Sequence, residues 1–251
     1  MKCTLEEKKS MRGILMIKIA HRGYVSKNNL ENSKSAILEA IKLGYDMIEI
    51  DIRETKDKRI VLNHDEDLNR VFGIDTKVSD MFLADIKNLV DILTLEECLE
   101  LCEGNVGLLV EVKDIVYSKD FFENVFSLIR KYNMVDEVLI YPSRKDIIDF
   151  YLGKVIVGVE YSEVLDKKIE EKYKEKIFVL GMPNVWDEKK IGEIHNRNLI
   201  SLTTVKKSYF NRKYPDENHM ILAEKVIHRL KSIGVDGINI DSLYHGFLFK
   251  E

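Results

Sequence analysis

Two histidines carry the first chemical signal. His21-Arg22-Gly23 and His64-Asp65 each follow a short apolar run. Two positioned imidazoles can divide proton work: one takes a proton from an attacking hydroxyl, the other returns one to a leaving oxygen. Arg22 adds a planar fork of donors suited to a phosphate oxygen. A lone loop histidine is ordinarily a surface residue, and His195, His219 and His228, on or beside predicted helices, read as surface or core packing. His245, after the last predicted strand, has no assigned place. There is no H-x-H, H-E-x-x-H or Walker-type glycine loop. That disfavours the common zinc hydrolase and nucleotide-binding classes.

The second signal is charge in the wrong place. Residues 46–52 read D-M-I-E-I-D-I. On a strand, Ile48, Ile50 and Ile52 share one face, and Glu49 and Asp51 the other. Residues 108–114 repeat the pattern: Val110 and Val112 alternate with Glu111 and Lys113. If both strands line a barrel, three carboxylates converge in its lumen, where unpaired charge is costly. Oxygen-only ligands of this kind suit a hard cation such as Mg²⁺ or Ca²⁺, with Mn²⁺ also admissible. Taken alone, the carboxylates leave that site and an internal ion-pair network with Lys113 and Arg53 equally open.

The elements that must position these residues alternate regularly. Eight short strands are expected at 14–20, 46–52, 106–112, 137–141, 154–159, 177–181, 199–203 and 235–240. Amphipathic helices are expected at 33–43, 94–102, 119–132, 143–152, 162–173, 187–196 and 217–233. Alternation of this kind means parallel strands joined by crossover helices. Thr94-Leu95-Glu96-Glu97 is a capping box, and Gly44 and Gly234 sit where helix C-terminal caps belong. Eight units predict an α/β fold closed as a (β/α)₈ TIM barrel, with an open doubly wound sheet as the alternative. Both histidines would then lie at the C-terminal ends of strands, where barrel active sites form. Residues 53–62 read as a turn and a further short strand. Residues 65–92 read as a small loop-rich insertion after the second strand, within a single domain over 1–251, and residues 1–13 as a loose polar extension.

Composition sets the outer limits. The chain has 251 residues, of which 45% are hydrophobic and 33% charged, with a formal net charge of −4. That is enough apolar matter for one large core. No Lys/Arg block marks a nucleic-acid partner. The mixed-sign run from Asp166 to Lys176 reads as a solvated helix face. No apolar run reaches membrane-spanning length, and the expected location is cytoplasmic. Cys3, Cys98 and Cys102 lack disulfide spacing, and the last two read as small core hydrophobes. Oligomeric state is left open.

The residues so assembled resemble the glycerophosphodiester phosphodiesterase family. The resemblance runs through Ala20-His21-Arg22-Gly23, Glu31-Asn32-Ser33, Ile48-Glu49-Ile50-Asp51 and Glu54-Thr55-Lys56-Asp57. It continues through His64-Asp65 with Leu68 and Arg70, then Leu93-Thr94-Leu95-Glu96-Glu97 and Val110-Glu111-Val112-Lys113. It covers roughly the first half of the chain, in the family's order and spacing; single pieces are weak and the set is specific. It implies that His21 and His64 form an acid–base pair and that Glu49, Asp51 and Glu111 hold a divalent metal. It also implies that Arg22 and Lys113 bind the phosphate. The small-molecule substrate would lose an alcohol such as choline or ethanolamine through a cyclic phosphate, leaving glycerol phosphate.

The second half matches less well. Val235-Asp236-Gly237-Ile238 is similar to the family's closing strand, with Asp241 after it. In Leu199–Val205, Thr203 stands where many members carry the tryptophan of W-T-V-N. Trp186 is the candidate replacement aromatic at the substrate, with ordinary loop packing equally open. Glu160 is expected to line the mouth or recognise a cationic head group. Two alternatives stand beside hydrolysis of glycerophosphodiesters. One is a related barrel phospholipase acting on lysophospholipid or sphingolipid head groups, with Val71, Phe72, Met81 and Phe82 as an apolar surface. The other is a non-catalytic barrel that binds phosphate esters.

Overall fold

In the computed structural model of the chain, residues 16–113, 116–142, 144–162 and 167–250 are described. The extension read at 1–13, the start of the first strand at 14–15 and Cys3 lie outside them, as do residues 163–166 of one expected helix.

The strands are β1 (Ile17–His21), β2 (Met47–Glu54), β3 (Ile60–Leu62), β4 (Asp67–Leu68), β5 (Ile74–Lys77), β6 (Gly107–Val112), β7 (Val138–Tyr141), β8 (Ile156–Glu160), β9 (Ile177–Gly181), β10 (Ile200–Val205) and β11 (Gly237–Ile240). Eight of them are parallel neighbours, running β1, β2, β6, β7, β8, β9, β10, β11 and back to β1. The closing register pairs Ile19 with Asn239. That ring settles the choice between barrel and open sheet.

Alternation along each strand divides the interior into two cores. Lumen-facing Ile17, Ile19, Met47, Leu109, Leu139, Ile156, Phe178, Ile200 and Leu202 form a plug inside the ring. Their neighbours Ile48, Ile50, Ile52, Val110, Ile140 and Ile238 face the helices, where they meet Ile37, Leu99, Val125, Ile129 and Ile227. The plug is close-packed: a Cβ on Gly237 would lie 2.4 Å from a Leu202 methyl, so glycine is what lets that side chain cross the lumen. Cys98 and Cys102 are buried in the outer core. The Cys98 thiol is pushed well above its ordinary pKa by its hydrogen bond with Cys102 and by burial.

The helix ends follow the sequence. Thr94 accepts from the Glu97 amide while the Glu97 carboxylate accepts from Thr94, closing the capping box. Gly44 and Gly234 both have φ near +80°, 81° and 80°, one residue beyond a helix C-cap. Outside the insertion, two described helices had no expectation: Lys207–Lys213, directly after β10, and His245–Phe249 at the C-terminal end. Both are short, and neither shows enough turns for a helical period to stand out.

The insertion is more ordered than its loop-rich composition suggests. β3 returns antiparallel on β2, pairing Ile52 with Leu62. β4 and β5 form a hairpin, and helices Asn69–Phe72 and Leu83–Leu89 follow its strands. Val61, Leu68, Val78, Ile86 and Ile92 give the segment its own small core. The Lys56 amide bonds to the Met81 carbonyl at 2.9 Å, and the Leu83 amide to Asp57 at 2.9 Å, tying it to the end of β2. Among the described residues no helix is long and apolar enough to cross a membrane.

Candidate active site

The lumen plug ends where the acidic residues begin. Glu49 and Asp51 follow Met47 up the inner face of β2, and Glu111 follows Leu109 up β6; the register sets Asp51 opposite Glu111. One carboxylate oxygen from each of Glu49, Asp51 and Glu111 lies within 4.8 Å of the others. Glu49 and Asp51 are buried, at 2% and 0% exposure.

The turn after β1 is built around this cluster. Arg22 adopts a left-handed backbone, φ 58°, a conformation rare for a side chain of that size. Two hydrogen bonds hold it there: its amide donates to Glu49 Oε2 at 2.9 Å, and its carbonyl accepts from the Asn32 amide at 3.0 Å. Gly23 comes next at φ +80°, so close to the following helix that a Cβ would sit 2.8 Å from that of Ala36. Glycine is required there for both reasons. Asn32 then clamps Asp51 from two sides, its Nδ2 donating to Oδ2 at 2.9 Å and its Oδ1 accepting from the Asp51 amide at 3.1 Å.

Lys113 and Arg22 pair with acids. Lys113 donates to Glu111 at 2.8 Å and stands 3.3 Å from Asp51 Oδ1. Arg22 donates to Glu31 at 2.8 Å, and its Nε lies 3.2 Å from Asp51 Oδ2. The two approaches to Asp51 are within ion-pair distance yet lack hydrogen-bond geometry, since Arg22 Nε and Asp51 Oδ1 have no hydrogen-bond partner. Part of the ion-pair network open from the sequence is therefore present, through Lys113 and Arg22. Arg53 donates to the His64 carbonyl, at 3.1 and 2.7 Å, and fixes the loop that carries that histidine.

The network does not satisfy Glu49. Its Oε1 is buried without a hydrogen-bond partner. Burial, then the charges of Asp51 and Glu111, push its carboxyl well above the ordinary range. Burial acts the same way on Asp51, but Arg22 and Lys113 outweigh it and hold that carboxyl low. An orphaned carboxylate oxygen beside two further carboxylates is what a hard divalent cation would satisfy, and these oxygen donors fit one.

Each histidine is backed by its own aspartate. His21 Nδ1 is 2.7 Å from Asp241 Oδ1, and its Nε2 lies 3.9 Å from Glu49. His64 Nδ1 is 2.7 Å from Asp65 Oδ1. Arg70 locks Asp65 at 2.5 Å and bonds on to Glu31, which holds Arg22. His64 thus belongs to a chain of alternating charges that ends at Arg22. Burial lowers the His64 pKa, against the opposing pull of Asp65 and Asp51. His64 sits past β3, not at the end of a barrel strand. Asp241 and Asp65 were visible in the sequence only as neighbours of motifs; that each backs an imidazole was not read there.

Two cavities meet at His21. An inner one of about 150 Å³ descends into the lumen past Glu49, Glu111, Tyr141, Glu160 and Asn239. An outer cleft of about 700 Å³ runs past Arg22, His64, Arg70, Lys207 and Leu243. Glu160 ends β8, one strand position later than expected, and accepts from the Tyr141 hydroxyl at 2.6 Å. Trp186 is not at either cavity. It is 1% exposed in the outer core, donates its indole N–H to the Leu202 carbonyl at 3.2 Å and packs over Gly181. The expectation that it meets substrate is corrected: a buried indole needs a partner for its N–H, and the backbone of β10 supplies it.

Similarity to known proteins agrees with this geometry. A lysophospholipase D of Homo sapiens is 32% identical over 115 residues, 45% of this chain and 36% of its own length. A glycerophosphodiester phosphodiesterase of Caldanaerobacter subterraneus subsp. tengcongensis is 37% identical over 107 residues, 43% of each. The matches thus span less than half the length of either relative. A phosphodiesterase of Oleispira antarctica, solved in complex with the product sn-glycerol-3-phosphate, shares the fold with a TM-score of 0.70 and 18% identity. The match covers 97% of this chain and 99% of that one. The Glycerophosphoryl diester phosphodiesterase family matches residues 21–209, a span that begins at the catalytic candidate His21 and takes in six of the eight barrel strands, from β2 to β10, and the chain belongs to that family.

Proposed function

We propose that the protein hydrolyses glycerophosphodiesters to glycerol phosphate and an alcohol, with a divalent cation held by Glu49, Asp51 and Glu111. The observation that carries this reading is the convergence of those carboxylates beside His21, with the orphaned oxygen on Glu49. Mg²⁺ and Ca²⁺ fit the all-oxygen donor set best, and Mn²⁺ is admissible. When bound, the ion supplies positive charge against the phosphoryl oxygens.

His21 and His64 divide the proton work. One takes the proton of the substrate's own hydroxyl as that oxygen attacks phosphorus. The other protonates the departing alcohol oxygen, leaving a cyclic phosphate. Water then opens the ring with the two roles exchanged. Asp241 and Asp65 orient the rings, so that each Nε2 faces the reaction. Arg22 and Lys113, both beside Asp51, would bind phosphoryl oxygens and offset the charge that builds on them. Glu160, held by Tyr141, faces the inner cavity and suits a cationic or hydroxyl-bearing group of the substrate.

The test is release of glycerol phosphate from glycerophosphocholine and glycerophosphoethanolamine, after EDTA and then with Mg²⁺, Ca²⁺ or Mn²⁺ restored. Turnover lost with EDTA and regained with metal supports the reading; turnover indifferent to metal rejects it, and binding without turnover would favour a phosphate-ester-binding barrel.

A second reading has its own support. Val25 and Leu243, 37% and 43% exposed, line the outer cleft, and a relative is named a lysophospholipase D. An acyl chain could lie along those residues. Faster turnover of a long-chain lysophospholipid than of its deacylated form would select it.

A further inference from the structure

We propose that Lys206 is a phosphate-binding residue, the cation that meets the substrate's phosphoryl group when Arg22 and Lys113 are still engaged with carboxylates. The proposal rests on the phosphodiesterase reading for its substrate, but not for its geometry.

The placement follows from strand alternation. Ile200 and Leu202 belong to the lumen plug, so Thr204 and then Lys206 continue the same row toward the mouth. Lys206 stands directly beyond β10 and caps the short helix that follows without a side-chain bond to it. With His21, it is one of two residues lining both the inner cavity and the outer cleft. A diester reacting at His21 must put its phosphorus where these spaces join, with one ester arm in each.

Charge points the same way. Arg22 is shared between Glu31 and Asp51, Lys113 between Glu111 and Asp51, and Arg70 between Glu31 and Asp65. Among the described residues Lys206 is within ion-pair distance of no carboxylate. The inner cavity around it holds Glu49, Glu111 and Glu160, which would repel a phosphodiester anion. An ammonium without a carboxylate partner at the junction offsets that repulsion at the point of entry, and its three donors fit a phosphate oxygen without demanding a fixed plane.

The experiment uses the full chain loaded with metal and compares wild type, Lys206→Gln and Lys206→Arg. Calorimetry reads the affinity for inorganic phosphate and for sn-glycerol 3-phosphate, and steady-state assays read kcat and KM on glycerophosphoethanolamine. Lys206→Gln is expected to weaken both ligands by about tenfold or more and to raise KM, at an unchanged melting temperature. Lys206→Arg should restore most of the loss. Phosphate affinity within twofold of wild type in Lys206→Gln overturns the assignment, even if the wild type is an active diesterase. Equal losses in Lys206→Gln and Lys206→Arg, with a lowered melting temperature, also overturn it, because the role is then packing. Should the wild type turn over no diester while phosphate affinity still falls in Lys206→Gln, the assignment stands and the phosphodiesterase reading fails.

Discussion

His21 and Asp241 lie 220 positions apart in the chain and meet at 2.7 Å, at the seam where β1 closes on β11. Barrel closure therefore delivers the partner that sets the histidine's tautomer. With Nδ1 facing a carboxylate, Nε2 is left toward Glu49 and the cavity. Asp241 is itself fixed by the Lys207 amide at 2.6 Å, and the His21 contact outweighs burial to hold its carboxyl below the usual range.

Asp241→Asn keeps the shape and removes the charge. It should lower kcat about 10- to 100-fold with KM little changed. Asp241→Asn activity equal to wild type in a steady-state assay would show that His21 needs no such partner.

Glu49 makes the metal-free protein sensitive to pH. Its folded pKa is raised, so between the unfolded carboxyl value and the folded one the native state binds more protons than the unfolded state. Its contribution to stability is present at low pH and is lost as pH rises through that window. Glu49→Gln should therefore raise the melting temperature of EDTA-treated protein near neutral pH, by about 2–4 °C for each kcal/mol relieved. It should also abolish the stabilisation by added cation, which for wild type is about 2.7 kcal/mol at a hundredfold excess over Kd. Thermal melts across pH, with and without metal, measure both effects. An equal metal response in the variant would place the cation elsewhere.

Trp186 separates packing from substrate contact. Trp186→Ala should cost about 3–5 kcal/mol of stability, while Trp186→Phe should lose less and leave KM unchanged. Urea denaturation and KM for two different head groups check this. A KM change that tracks the head group in Trp186→Phe would return the indole to the substrate.

Gly23→Ala tests the turn that presents Arg22. The added methyl meets Ala36 at 2.8 Å and the backbone is left-handed, so destabilisation of about 1–3 kcal/mol is expected. Because Arg22 adjoins it, kcat/KM should fall further than in a variant equally destabilised at a distant core position. Equal activity in the two variants would mean the turn serves stability alone.

The barrel and the metal candidates were legible because their periods are short. A strand writes its faces every second residue, so Glu49, Asp51, Glu111 and Lys113 could be placed in the lumen from the sequence alone. Residues brought in by closure or by a loop carry no such period. Asp241 depends on β1 meeting β11, and Arg70 on an insertion whose fold is set by a small separate core. Lys206 continues the row of Leu202 and Thr204, yet the strand itself was read as ending at Thr203, short of the mouth. Trp186 misled for a related reason: a large aromatic in a loop looks exposed until the glycine beneath it and the carbonyl beside it are in view. Thr94 and Gly44 were read correctly because a helix cap is decided within a few residues.

The most direct measurement follows glycerophosphoethanolamine by phosphorus NMR with metal-loaded wild type, His21→Ala and His64→Ala. The expected result is conversion to glycerol phosphate by wild type, with each alanine variant slower by about 10²–10⁴-fold while still binding metal. Wild-type rates in both variants, or conversion that persists in EDTA, would contradict acid–base catalysis by these histidines at a metal-bound phosphodiester.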